Sequence, residues 1–405
     1  MNTDLSRRNF FRMAAAAGAA AAMPILTEPQ LALAQRRHPI GEMAPGAVRI
    51  DANENPLGPS EAARATITSL IPESCRYDFD LAQKLTGTFA AMEGLKPEYV
   101  VAYAGSSEPL HYTVLAFTSK DRSYVTGDPG YEAGMFAAQM NGAPIRKVPL
   151  TSDYAHDVRA MLASDPNAGV FYIANPNNPS GTMTKREDID YLLANKPEGS
   201  VLLLDEAYIH FADTPNALDL VKADKDVILL RTFSKIYGMA GLRCGLAIAR
   251  PDLLRKLQIY GQNFLPILAV AAATTSLQEP NLVAQRKKIN TDTRDSVFAW
   301  LTANNYRFIP SETNFFMLDA GRPGNDAIAA MAQRDVYIGR VWPVMPNWVR
   351  ITVGTPDEMR KFQSAWKETM NGPAMAFRGR SDSTRLARIR SGDLPPLAAR
   401  GVQGL

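Results

Sequence analysis

Lys235 lies in the stretch VILLRTFSKIYGMAGLRCG, residues 227–245, and is the side chain of this 405-residue sequence best placed for covalent chemistry. The apolar residues Val227 to Leu230 read as a buried parallel strand. A polar turn, Arg231-Thr232-Phe233-Ser234, comes next, then Lys235 and a segment in which Gly238, Gly241 and Gly245 surround Arg243. A lysine just past the end of a buried strand stands where open α/β sheets put ligand chemistry. Partial desolvation and nearby cations lower its pKa, which an amine needs in order to form an imine with a carbonyl. Thr232, Ser234 and Arg243 beside it suit a phosphate. A lone loop lysine is more often plain surface, so the rest of the chain has to decide.

Other groups point the same way. Asp205 follows the aliphatic run Val201 to Leu204, and a carboxylate there needs a partner. A pyridinium nitrogen is one; a helix N-terminus is the other. Gly105-Ser106-Ser107 opens a helical segment after the short strand Val100–Tyr103, and the free N–H groups of such a turn attract anions. Tyr131 follows another strand and could lie over an aromatic ring or simply pack. Asn175 to Gly181, with two prolines and three asparagines, makes a tight polar corner. Arg350 sits among apolar neighbours in WVRITVG and requires an anion, either a structural carboxylate or an acidic substrate. A phosphorylated pyridine aldehyde, pyridoxal 5'-phosphate, would engage Lys235, Asp205 and the phosphate-binding groups together.

The elements that must position these residues follow a strand–loop–helix rhythm. Seven strands are expected, at Val100–Tyr103, Ser123–Thr126, Ile145–Leu150, Gly169–Ala174, Val201–Leu204, Val227–Leu230 and Leu242–Ile248. The fold class is therefore α/β, with a mostly parallel seven-stranded sheet flanked by helices over residues 61–285. Residues 286–372 read as a smaller α+β domain, with a helix at Ile289–Leu301, short strands at Asn314–Leu318, Val336–Arg340 and Val349–Val353, and a helix at Asp326–Arg334. Residues 35–60, containing DANENPLGPS, are expected to form an arm joining the small domain.

The ends differ in character. Arg7-Arg8 precedes an Ala-rich stretch, and Ala32-Leu33-Ala34 offers a cleavage site before Gln35. Residues 1–34 are expected to be a twin-arginine leader, which makes the twin-arginine machinery a partner and the periplasm the destination. Residues 373–405 are rich in Pro, Gly and Arg and are expected to be a disordered basic tail. A net charge of +3 gives no argument for nucleic acid, and no later apolar run is long enough for a membrane span. Cys75 and Cys244 are expected to stay reduced, and the four histidines lack metal-ligand spacing.

Taken in chain order, these motifs resemble the class I/II pyridoxal-phosphate aminotransferases of the aspartate aminotransferase fold, over about residues 45 to 370. The histidinol-phosphate aminotransferase branch is similar in NENPLGP, RY, NPNNPSG, DEAY, TFSK and RITVG. The chain departs from that branch at Leu57, where an aromatic residue is common, and at Ser107, where an acidic one is. The resemblance implies a fold type I enzyme in which Lys235 carries the cofactor and then acts as base. Asp205 would pair with the pyridine nitrogen, Asn178 and Tyr208 would bond the ring hydroxyl, and Tyr131 would stack on the ring. Ser106, Ser107, Thr232, Ser234 and Arg243 would hold the phosphate, with Tyr77 reaching that of a neighbouring subunit in a homodimer. Arg350, Arg340 and Asn55 would meet the substrate. The implied activity moves an amino group from a small-molecule donor to a 2-oxo acid. A decarboxylase or racemase of the same fold, or an exported relative that only binds the cofactor, are the alternatives.

Overall fold

In the computed structural model, described over residues 25, 27, 28, 30, 31, 44–261 and 264–371, a seven-stranded sheet forms the larger layer. Its strands are β2 (Val100–Tyr103), β3 (Tyr124–Asp128), β4 (Ile145–Pro149), β5 (Val170–Ala174), β6 (Val201–Asp205), β7 (Val227–Thr232) and β8 (Gly245–Ile248). They lie in the order β2-β8-β7-β6-β5-β3-β4. All pairings from β4 through β7 are parallel, and β8 alone runs against its neighbours.

Alternation decides which face each residue buries. Leu202, Leu204, Phe171, Ile173, Val227 and Leu229 point into one apolar cluster. Val201, Leu203, Val170, Tyr172, Ile228 and Leu230 point into the other. Both faces are covered, so the central strands read as unbroken aliphatic runs rather than as alternating ones.

A second assembly contains β9 (Phe308–Ile309), β10 (Phe315–Asp319) and β12 (Trp348–Thr352), in the order β12-β10-β9. Beside it β1 (Val48–Ile50) pairs in parallel with β11 (Val336–Ile338), so the N-terminal arm is stitched to the C-terminal part of the chain. Helices Gly324–Ala332 and Pro356–Asn371 pack on these strands around Trp366, Phe362 and Met331.

The expected strands are present, with ends shifted by a residue or two, except that Leu242 to Cys244 lie outside β8. A left-handed backbone at Arg243 (φ +62°) is incompatible with a strand there. The helix expected at Ile289–Leu301 is longer, Leu282–Ala303, because its polar outer face hides the apolar period at its start. Cys75 is exposed, Cys244 buried, and both are free thiols. The Arg7-Arg8 motif and the tail over 373–405 lie outside the described residues. Among the described residues no helix is long and apolar enough to cross a membrane.

Candidate active site

The carboxyl edge of the large sheet collects the chemistry. Gly105-Ser106-Ser107 follows β2, Tyr131 follows β3, Asn178 follows β5, Asp205 ends β6, and Lys235 follows β7. Because β8 is reversed, the loop that enters it carries Arg243 to the same edge. One cavity is lined by Ser106, Ser107, Tyr131, Asn178, Asp205, Tyr208, Thr232, Ser234, Lys235 and Arg243. Every one of these was named from the sequence.

The phosphate end is a small cradle. Ser106 is the N-cap of helix Ser107–Phe117 and makes no side-chain cap bond, so its hydroxyl is not used within the helix. Thr232 Oγ1 donates to Ser234 Oγ at 3.0 Å, and Arg243 Nη1 lies 3.4 Å from the same Ser234 oxygen. Gly105 has φ +90°, and a Cβ there would come within 2.2 Å of Arg243 Nη2. A Cβ at Gly245 would come within 2.6 Å of the Ser106 backbone nitrogen. Gly245 is therefore required by close backbone approach, and Gly105 by its left-handed backbone.

At the other end Asp205 is buried. Its Oδ2 accepts from Tyr172 Oη at 3.0 Å and its Oδ1 from the Ala207 N–H at 3.1 Å. Burial lifts this carboxyl to about 6 in spite of those donors. A cationic N–H brought against it would restore its charge, and a protonated pyridine nitrogen supplies one. Lys235 Nζ donates to the Asn53 carbonyl at 2.9 Å. Burial pulls the Lys235 ammonium down to about 8; Glu28 works against that shift, and Arg350 and Arg243 add to it. The donor set thus fits pyridoxal phosphate from ring nitrogen to phosphate, with Lys235 available for its aldehyde.

A third part pairs two buried arginines with carboxylates of the same chain. Arg350, on β12, and Arg340, just after β11, are 0% and 1% exposed, and both lie over the Trp342 ring at 5.4 and 4.6 Å. Arg350 Nη1 donates to Asn178 Oδ1 at 2.8 Å and Nη2 to the Asp51 carbonyl at 3.1 Å. Their anion is Glu28. Its Oε1 accepts from Arg350 Nη2 at 2.5 Å and from Arg340 Nη1 at 3.2 Å, and Asn178 Nδ2 reaches its Oε2 at 3.3 Å. Burial by itself would raise this carboxyl; the two guanidiniums outweigh it and hold it at about 2. Arg340 Nη2 also pairs with Glu132 Oε1.

Two expected residues stand apart. Asn55 does not line the cavity: its Nδ2 donates to the Ile236 carbonyl and its Oδ1 accepts from the Leu57 N–H, so it fixes its own loop. Asn53 lies behind the cavity wall and braces two lining residues, donating through Nδ2 to Tyr208 Oη at 3.0 Å and accepting at its carbonyl from Lys235 Nζ. Tyr77 is 79% exposed and belongs to an outer aromatic patch with Phe79 and Phe264. Sequence reasoning missed Tyr172, Glu132 and Glu28. A tyrosine inside a fully buried strand is a polar group seeking a partner, and that signal was available for Tyr172. Glu28 gave none, because it lies within the expected leader.

Residues 48–365 match the family described as aminotransferase class I and II. The chain belongs to that family. A histidinol-phosphate aminotransferase of Symbiobacterium thermophilum is 32% identical over 327 residues, covering 80% of this chain and 90% of the relative. Histidinol-phosphate aminotransferase 2 of Pseudomonas fluorescens strain Pf-5 is 33% identical over 324 residues, covering 78% and 87%. A crystal structure from Erwinia carotovora atroseptica superposes with a TM-score of 0.77 at 30% identity, over 82% of this chain and 98% of that one. The fold is also that of a Sinorhizobium meliloti histidinol-phosphate aminotransferase in complex with pyridoxal-5'-phosphate, with a TM-score of 0.73 at 24% identity over 87% and 96%.

Proposed function

We propose that this pyridoxal-phosphate-dependent aminotransferase takes its amino group from a primary amine that carries an acidic group, and passes it to a 2-oxo acid. Arg350 and Arg340 receive the acidic group, as they receive Glu28. The observation that carries this reading is one cavity lined by Lys235, Asp205 and Glu28, with a buried arginine pair held against Glu28 just behind its wall.

The roles follow from the groups. When bound, the cofactor supplies an aldehyde for amine exchange and a ring that takes up negative charge. The Asp205 carboxylate holds the proton on the ring nitrogen, with Tyr172 fixing its orientation. Asn178 and Tyr208 orient the ring hydroxyl, and Tyr131 covers a ring face. Ser106, Ser107, Thr232, Ser234 and Arg243 hold the phosphate. Lys235 Nζ would hold and move the proton that leaves the substrate's amine-bearing carbon. The test is a half-reaction screen against amino acids and phosphorylated amino alcohols, followed by the visible absorbance of the cofactor. Lys235→Ala should lose turnover by at least about a thousandfold while keeping its fold; full activity in that variant would defeat the reading.

Two wider features complete the proposal. The exposed Tyr77–Phe79–Phe264 patch supports a homodimer in which Tyr77 reaches a partner's phosphate. Arg7-Arg8, the Ala-rich stretch and Ala32-Leu33-Ala34 support export of the folded chain to the periplasm by the twin-arginine route. Cleavage before Gln35 would also remove Glu28 from the anion subsite. N-terminal sequencing of the protein from the periplasm checks this: a mature chain starting upstream of residue 28, or retention in the cytoplasm, would contradict it.

A further inference from the structure

We infer that Glu132 sets the charge of the substrate subsite, so that it accepts a carboxylate monoanion and discriminates against a phosphate dianion. The inference deepens the proposed reading and rests on its assignment of Arg350 and Arg340 to the substrate's acidic group.

The argument is one of charge at close range. Arg340 and Arg350 are almost fully buried, and both guanidiniums lie against the Trp342 ring, 4.6 and 5.4 Å from its centroid. Glu132 is in contact with Arg340 and cancels one of the two positive charges. The arginine pair is left with a single positive charge, and Lys235, the third cation acting on Glu28, is taken up by the cofactor in the loaded protein. Glu28, a single carboxylate, balances the pair, and it lies against both guanidiniums. A phosphate monoester above its second ionisation, near pH 6, would carry one negative charge too many. That surplus would face Glu132, with Glu54 also on the cavity wall.

A second observation points to the ligand. Glu132 uses Oε1 on Arg340, while its Oε2 is buried with no hydrogen-bond partner. A carboxylate held on Arg340, the residue that also holds Glu28, adds repulsion toward a second negative charge on the ligand. It would welcome a donor N–H or O–H on the same ligand. A structural role alone would leave Glu132 indifferent to which anion Arg340 and Arg350 hold.

The experiment uses full-length, cofactor-loaded protein carrying Glu28→Ala, which opens the subsite. Isothermal titration at pH 8 compares 3-phenylpropionate with 2-phenylethyl phosphate, ligands of similar reach that cannot react. The carboxylate should bind at least about tenfold more tightly. Glu132→Gln in the same background should bring the ratio close to one, and Glu132→Asp, which keeps the charge, should restore it. Equal or tighter phosphate binding in the parent, a ratio unmoved by Glu132→Gln, or no binding of either ligand would overturn the inference. Should Glu132→Gln fail to fold, the parent decides at pH 5, where the phosphate becomes a monoanion. There its disadvantage relative to the carboxylate should shrink about tenfold, and an unchanged ratio would again overturn the inference. None of these readouts needs turnover, so failure of transamination in the half-reaction screen is a separate result.

Discussion

Asp205 and Lys235 are both held away from their ordinary protonation, in directions that have opposite effects on stability. Burial raises Asp205 to about 6, so the folded chain binds that proton more tightly than the unfolded chain does. Without cofactor, this stabilisation is present at about pH 4 and is lost as pH rises through 6, an effect on the order of 3 kcal/mol. Melting temperatures of the cofactor-free protein should therefore fall across that window. Asp205→Asn should flatten the fall, and the same variant should lower turnover by at least about a hundredfold because the ring nitrogen loses its counter-charge. For Lys235 the sign is reversed. Its folded pKa of about 8 lies below the unfolded value, so its contribution is present above about pH 10 and is lost as pH falls through 8. Further along the sheet, Glu206 and Arg231 form a buried pair at 2.7 Å, and Glu206 also accepts from the Ala217 N–H. Glu206→Ala leaves a buried guanidinium uncompensated and should cost about 3–5 kcal/mol in urea unfolding.

Elements turn these side chains into a site, and loops contribute more than strands. Gly105→Ala tests the phosphate cradle: it adds a Cβ at 2.2 Å from Arg243 Nη2 and forces φ +90° on an L-residue. The variant should bind pyridoxal phosphate at least about tenfold more weakly, as read by fluorescence titration of the stripped enzyme, with β2 and its neighbours intact by circular dichroism. The short segment around Glu28 invites a different test. Glu28→Ala in the full chain should lower the apparent KM for an anionic donor by about tenfold or more. Because Glu28 raises the Lys235 pKa, the variant should also move the midpoint of the rate–pH profile to lower pH.

What the sequence made legible at this scale has a physical reason. Strands buried on both faces are unbroken aliphatic runs, and a polar residue directly after such a run sits at a sheet edge; this found Asp205, Lys235 and Thr232. The reversal of β8 leaves no periodic mark, so Arg243 was placed by its neighbours rather than by its turn. Asn55 and Asn53 lie in one polar stretch where spacing gives no preference, and only distant partners, Thr352 and Tyr208, decide that Asn53 is the buried one. Glu28 and Glu132 meet Arg340 across 312 and 208 residues, a juxtaposition that no local pattern encodes.

Over the whole molecule, the surface carries one more test. Tyr77, Phe79 and Phe264 have ring centroids 5.0 to 6.5 Å apart and are 79%, 57% and 67% exposed. A cluster of this kind marks a protein contact more often than a free face. On the homodimer proposed above, Phe264→Asp should shift the sedimentation coefficient from that of a dimer to that of a monomer and reduce turnover with it. Glu28, finally, is joined to the body it occupies by the chain itself. Dilution cannot loosen such a contact, and the number of copies in a cell does not alter it. The contact is thus set up within each newly made molecule and ends one molecule at a time, when the chain between position 28 and the rest is cut.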